Sequence, residues 1–275
     1  MYQLLDCGFE KKWERFGDIH VIRQAAQAFW PPGKNEKSWR PAHAIHHRAK
    51  SGGGHWEFIE KVPEQWVVEV GDLKFLIKLT SFGHTGVFPE QVESWHWIHN
   101  QIRSKDRVLN LFGYTGGSTL AAARAGAEVT HVDASKGVVA WARENATING
   151  LDQSPIRWMV DDVQKFVARQ ERRGERYQGL ILDPPSYGRG NRGEVWNIES
   201  DLVPLLKGLC SLWDPSGFIL FSCHTPGFSG QSLANFVQRI FQVSPDQLEC
   251  GEMMVPVAGD RLFLPSGSYV RRPRS

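Results

Sequence analysis

A chain of 275 residues is long enough for one large domain, or for a main domain with a small companion. Its 41% hydrophobic and 23% charged residues are ordinary globular values and exclude a disordered or fibrous chain. Thirty-two Lys and Arg against thirty Asp and Glu leave a formal charge of +2, so an anionic partner must be held by local patches, not by net charge.

Residues 1–85 read as a small antiparallel β domain, with strands expected over 2–6, 18–22, 55–59, 66–70 and 74–79. The run VVEV-GD-LKFLIKL is the clearest hairpin signal, two β-rich stretches about a Gly-Asp turn. The polar stretch from Pro31 to Gly54, with Pro-Pro-Gly and Gly-Gly-Gly, reads as a long surface loop. Residues 86–275 instead alternate helix and strand. Helices are expected over 90–103, 117–125, 135–149, 163–173, 199–213 and 231–241, with strands over 107–112, 128–132, 156–160, 178–182 and 218–222. Apolar strands separated by helices predict a mostly parallel Rossmann-like α/β sheet, covered on both faces. The segments 261–264 and 268–271 fit antiparallel strands at one edge. Trp95 with Ile98, and Trp141 with Val138, have helical spacing for the core.

No apolar run approaches the ~18 residues of a membrane span, and MYQLLDCGFE lacks the basic and apolar regions of a leader. Cys7, Cys210, Cys223 and Cys250 are too scattered for a zinc cage or disulfide framework. The expectation is a cytoplasmic protein with reduced thiols and no metal.

The first strand of the second region runs into RVLNLFGYTGGSTLAAARAGA. Gly113, Gly116 and Gly117 give G-x-x-G-G, not the G-x-G-x-x-G of dinucleotide binding, which argues against a nicotinamide enzyme. A glycine turn from strand to helix brings backbone close to a ligand and aims helix-start amides at it. The next strand ends in Asp133, placed to accept both hydroxyls of a ribose, or else to cap the helix near Ser135. The third ends in Asp161-Asp162, of which Asp162 is the better placed to accept from an adenine amine; helix capping is the alternative. The fourth ends in Asp183-Pro184-Pro185-Ser186-Tyr187, an acid in the same crevice beside a rigid turn.

Loop, acid, acid pair and D-P-P in this order resemble a class I S-adenosylmethionine-dependent methyltransferase. VLNLFGYTGG, VTHVDASKG, ARENATING, DDVQKF and LDPPSYGRG resemble, more closely, the ribosomal large-subunit RNA (cytosine-5) methyltransferase family. GHTGVFPEQ resembles that family's strand leading into its catalytic domain, and GGGHWEF with WVVEVGDLKFLIKLT looks like a subgroup with a small β domain in place of a dedicated RNA-binding module. The resemblance implies that S-adenosylmethionine is the cofactor and RNA the substrate. It implies that Gly113, Tyr114 and Gly116 surround the methionine part, Asp133 takes the ribose and Asp162 the adenine amine. Phe88 and Gln91, in TG-x-F-x-x-Q, are implied to close over the cofactor.

Two acceptor chemistries compete. Carbon 5 of cytosine needs a thiolate added at carbon 6, and Cys223, in ILFSCHTPG at a strand end, resembles the F-S-C stretch of the cytosine-5 members; His224 is too close in sequence to be taken as a base but could help lower the thiol pKa, and Asp183 would hold or protonate the pyrimidine edge. The plain alternative is a buried, inert thiol. The second chemistry methylates a nitrogen held by Asp183-Pro184-Pro185, with Tyr187 stacking on the base; Ser186 departs from the Lys of many family members. For RNA contacts the candidates are Lys34, Lys37, Arg40, Arg48 and Lys50 with Trp39, then Arg189 and Arg192, then the final VRRPRS. A protein or small-molecule methyltransferase, and a non-catalytic RNA-binding module on the same fold, stand as alternatives.

Overall fold

The structure, a computed structural model, describes residues 1–49, 53–190 and 193–275. The chain divides into two compact units, Met1–Glu90 with Met254–Ser266 and Gln91–Met253 with Gly267–Ser275.

The first unit holds a five-stranded sheet in sequence order: β1 (Tyr2–Gly8), β2 (Lys11–Phe16), β3 (Ile19–Gln24), β4 (Ala44–Arg48) and β5 (Gly54–Phe58). All its pairings are antiparallel except β3 with β4. A separate hairpin joins β6 (Trp66–Val70) to β7 (Leu73–Ile77) through Gly71, whose φ of 59° a tight turn requires. The sequence expectation missed two of these strands. β2 carries the inward-facing Glu14, which hides its alternation. β4 lies inside the stretch read as a loop, with the buried His46 on its inner face. Leu4, Cys7, Ala25 and Ala28 form a small core with Val255, Val257 and Leu264.

Charge is buried in this unit only where it is paired. Arg23 donates from Nε and Nη2 to the two oxygens of Glu14 at 2.7 and 2.8 Å, and Tyr2 Oη adds a third bond at 3.0 Å. Burial would raise the Glu14 carboxyl, but the charges of Arg23 and Lys12 and these hydrogen bonds outweigh it and bring the pKa to about 2. Asp6, also buried, accepts from the backbone N–H of Cys7, Gly33 and Lys34 and from Trp39 Nε1, which pins the basic segment to β1.

The second unit follows the expected alternation closely. It runs α1 (Val92–Gln101), β8 (Arg107–Leu111), α2 (Gly117–Arg124), β9 (Glu128–Asp133), α3 (Lys136–Ile148), β10 (Ile156–Val160), α4 (Val163–Arg172) and β11 (Tyr177–Leu182). A short hairpin of β12 (Tyr187–Arg189) and β13 (Val195–Asn197), unforeseen from sequence, precedes α5 (Ile198–Leu212), β14 (Trp213–Cys223) and α6 (Gly230–Phe241). The two last strands, β15 (Glu249–Pro256) and β16 (Phe263–Arg272), are longer than the two short segments expected there.

The sheet order is β10-β9-β8-β11-β14-β16-β15, parallel from β10 to β14 and antiparallel where β16 joins β14. Leu109 and Leu111 of β8, Leu180 and Leu182 of β11, and Ile219 and Phe221 of β14 share one core with α4, α5 and α6. Asn110, on the opposite face of β8, instead bonds Thr119 of α2. The polarity of alternate residues thus assigns a face to each group of helices. Strand order reverses between β8 and β11, so the crevice outside the carboxyl ends of these strands is where a ligand belongs in a sheet of this kind.

Candidate active site

The loop after β8 is built around close approach. Phe112, Tyr114 and Gly116 have φ of 55°, 47° and 94°, a strained path for the first two. Gly113 has no alternative side chain: a Cβ there would lie 2.4 Å from the His131 ring. That imidazole is fully buried, pushed down to about 3 by desolvation, and linked through Nδ1 to Thr119 Oγ1 at 2.9 Å. Gly117 is equally constrained, since a Cβ would lie 2.5 Å from the buried Trp95. Asn145 of α3 donates to the Thr115 carbonyl and ties the loop to the next helix.

Asp133 ends β9 beside this loop. Its carboxylate accepts from the backbone N–H of Tyr114 at 3.1 Å and of Ser135 at 2.9 Å. Burial raises its pKa, and the two amides offset part of the rise. Ser135, not Asp133, accepts from Val138 N–H as the cap of α3. Asp162 does cap α4, with Oδ1 on Lys165 N–H at 2.9 Å. Asp161 is paired with Arg169.

On the other side of the crevice Asp183 sits at the end of β11. Strand pairing of Leu182 with Phe221 places it beside Ser222 of β14. Gln91 Nε2 donates to both, at 3.1 Å to Asp183 Oδ2 and 3.0 Å to Ser222 Oγ, and His224 Nδ1 lies 3.2 Å from Asp183 Oδ1. Burial alone would raise the Asp183 carboxyl; the charge of His224 and hydrogen bonds from His224, Ser222 and Gln91 hold it below its ordinary value instead. The side chain as a whole remains 24% exposed, although its Oδ1 atom is buried. Pro184 is buried and Pro185 exposed, with the Pro185 carbonyl accepting from Trp196 Nε1 at 2.7 Å. Tyr187 projects outward, half exposed, its hydroxyl accepting from Arg189 Nε.

Cys223 belongs to the packed core, 1% exposed. Burial raises its thiol pKa despite a contact from Thr225 N–H at 3.4 Å. His224, expected to activate that thiol, faces Asp183. A thiolate nucleophile needs the opposite setting, so nothing here supports the cytosine-5 chemistry. Ser222 is the site residue that sequence reasoning passed over, and His224 was read against the wrong partner; their adjacency to Cys223 was visible, but their register against Asp183 was not.

The basic candidates separate into two groups. Arg40 and Arg48 are exposed, at the end of the 36–39 turn and of β4 respectively. Trp39, expected to interleave with them, is buried against Trp13 and bonded to Asp6. Lys50 and Arg192 lie outside the described residues. The terminal arginines are a correction: Arg272 is buried and donates to the Gly217 carbonyl, and Arg274 pairs with Asp106 and Gln101. They hold the end of the chain and offer little to RNA. In the first unit Phe88 is partly buried, with its ring edge-on to His84.

A glycine loop after β8, with carboxylates at the ends of β9 and β11 on either side of a strand-order reversal, is the arrangement of the class I methyltransferase fold. A family model for S-adenosylmethionine-dependent methyltransferases matches residues 35–240, and the chain belongs to that family, with S-adenosylmethionine as its cofactor. The chain is 36% identical to the SAM-dependent methyltransferase from Agrobacterium tumefaciens, whose crystal structure superposes with a TM-score of 0.91 over 100% of this chain and 90% of that one. Among curated relatives it is 29% identical over 175 residues to ribosomal RNA large subunit methyltransferase K/L of Shewanella frigidimarina, 63% of this chain and 24% of that protein. With the Pseudoalteromonas atlantica protein of the same name the identity is 31% over 227 residues, 76% of this chain and 32% of that protein. The matched part thus spans about a quarter to a third of those relatives' length. None of the described helices is long and apolar enough to cross a membrane.

Proposed function

We propose that this methyltransferase modifies a base nitrogen in ribosomal RNA, with Asp183, Pro184 and Pro185 forming the acceptor pocket. The carrying observation is the contrast at the ends of β11 and β14: Asp183 is ionised, partly exposed and fixed by three side chains, whereas Cys223 is packed away with a raised pKa. An RNA substrate is favoured by the names of the curated relatives and by exposed cations. Ribosomal RNA as substrate in turn favours the cytoplasm as the place of work.

The residues present suit a sulfonium nucleoside. Gly113, Tyr114 and Gly116 allow backbone to approach the methionine part, Asp133 is oriented for the ribose hydroxyls, and Asp162 offers the carboxylate oxygen not used in capping to the adenine amine. When bound, the cofactor supplies an electrophilic methyl group. Everything else is positioning. Asp183 accepts an N–H of the base and so fixes the direction of the nitrogen lone pair. Tyr187 provides a stacking face, worth ~1–3 kcal/mol per base. Residues 1–85 serve as the RNA-docking part and 86–275 as the catalytic part, with Arg40 and Arg48 meeting phosphates.

The test is a mass analysis of nucleosides from ribosomal RNA of cells with and without the protein, followed by restoration with purified enzyme. Loss and recovery of an N-methylated nucleoside is expected. Loss of 5-methylcytidine instead would overturn the assignment.

A further inference from the structure

Gln91 stands at the N-cap of α1, where Ser, Thr, Asp or Asn commonly bond the first turn. Its side chain makes no such bond. The residue is 5% exposed, and its amide nitrogen is divided between Asp183 Oδ2 and Ser222 Oγ, on two neighbouring strand ends. A carboxylate only accepts, so the amide must present NH2 and not oxygen to Asp183. Its own oxygen is consequently left buried and, among the described residues, unbonded. An unmet buried carbonyl weakens a fold, and stability alone would not select this arrangement. The arrangement does secure one thing: the carboxylate of Asp183 is held at Oδ2 by Gln91, while Oδ1, buried and among the described residues without a hydrogen-bond partner, has His224 Nδ1 3.2 Å away.

We infer that Gln91 is a positioning residue for methyl transfer, holding Asp183 in the orientation that receives the acceptor base, not a residue that closes over the cofactor. The inference rests on the acceptor role given to Asp183 above. Loss of an N–H donor to a carboxylate raises that carboxylate's pKa, so removing the amide must move the acid side of the pH–rate profile to higher pH. A misoriented acceptor lowers kcat, by about 10²-fold for displacements on the order of an ångström.

The experiment compares Gln91→Leu, Gln91→Asn, Ser222→Ala and Asp183→Asn with the wild-type full chain, by pH–rate profiles on ribosomal RNA and by titration with S-adenosylhomocysteine. Gln91→Leu is expected to lower kcat about 10²-fold, to shift the acid limb upward, and to keep the affinity for S-adenosylhomocysteine within about twofold. Ser222→Ala, which removes a hydroxyl that bonds the amide and also lowers the Asp183 pKa, is the reference for losing a direct partner of the carboxylate. Gln91→Asn, which draws the amide back from Asp183, should shift the limb the same way as Gln91→Leu with a smaller loss, and it carries the test if Gln91→Leu does not fold. A proportionate loss of S-adenosylhomocysteine affinity, or an unmoved acid limb in both Gln91 variants, overturns the inference. If Asp183→Asn retains full activity, the acceptor-pocket reading itself has failed; if that variant is inactive while Gln91→Leu and Gln91→Asn behave as wild type, only the role of Gln91 has.

Discussion

Both units bury carboxylates, and they use them differently. In the first unit Glu14 meets a guanidinium, a phenol and an ammonium, and Asp6 accepts from three backbone amides and an indole. Every oxygen there is consumed internally and no part is offered outward. In the second unit Asp133 and Asp183 stand at strand ends, held by donors that orient them while Asp183 keeps a face to solvent. A buried charge matched on all sides is costly to break by removing one partner, whereas a charged group held at a cleft by oriented donors is a candidate for meeting a ligand.

That difference can be broken by mutation. The largest effect is expected for Arg23→Leu, which leaves Glu14 buried and unmatched: a loss of about 3–5 kcal/mol in denaturant unfolding. Its companion is a pH effect. Because folding depresses the Glu14 pKa from 4.5 to about 2, its contribution is complete above pH 4.5 and is lost as the pH falls towards 2. Wild-type stability against unfolding should therefore fall over that window more than that of the Glu14→Gln, Arg23→Leu double variant. Next, Asp183→Asn should lower kcat about 10²- to 10³-fold with an unchanged melting temperature, as read by radiolabelled methyl transfer to RNA. Asp133→Ala removes a charged acceptor and should weaken S-adenosylhomocysteine binding by about 1.5–3 kcal/mol in calorimetry. Asp6→Ala should cost about 1–3 kcal/mol of stability and expose the 33–40 segment to proteolysis, without changing cofactor affinity. The smallest effect is expected for Cys223→Ala, which should retain methylation; abolished turnover in a folded variant would revive the thiol mechanism.

The second unit was legible in the sequence because its apolar-rich strands alternate with helices and are followed by glycines or acids at their carboxyl ends. The glycines after β8 and the acids after β9, β10 and β11 needed only their order to be found. What stayed hidden depended on long-range pairing. Glu14 disguised β2 as a charged segment because its partner Arg23 lies on another strand. Arg272 and Arg274 looked like a basic tail, yet carbonyls of Gly217 and Gln101 and the carboxylate of Asp106 hold them. Gln91 was read from the resemblance as closing over the cofactor, and nothing local pointed to Asp183, 92 residues further on. His224 was read beside its sequence neighbour Cys223, although the strand end turns its ring to Asp183.

The most direct measurement is a crystal structure of the enzyme with S-adenosylhomocysteine bound. The account predicts the ribose hydroxyls on Asp133, the backbone of Gly113–Gly116 against the amino-acid part, and the sulfur facing the carboxylate of Asp183. A ligand whose ribose lies away from Asp133, or whose sulfur points away from Asp183, would contradict it.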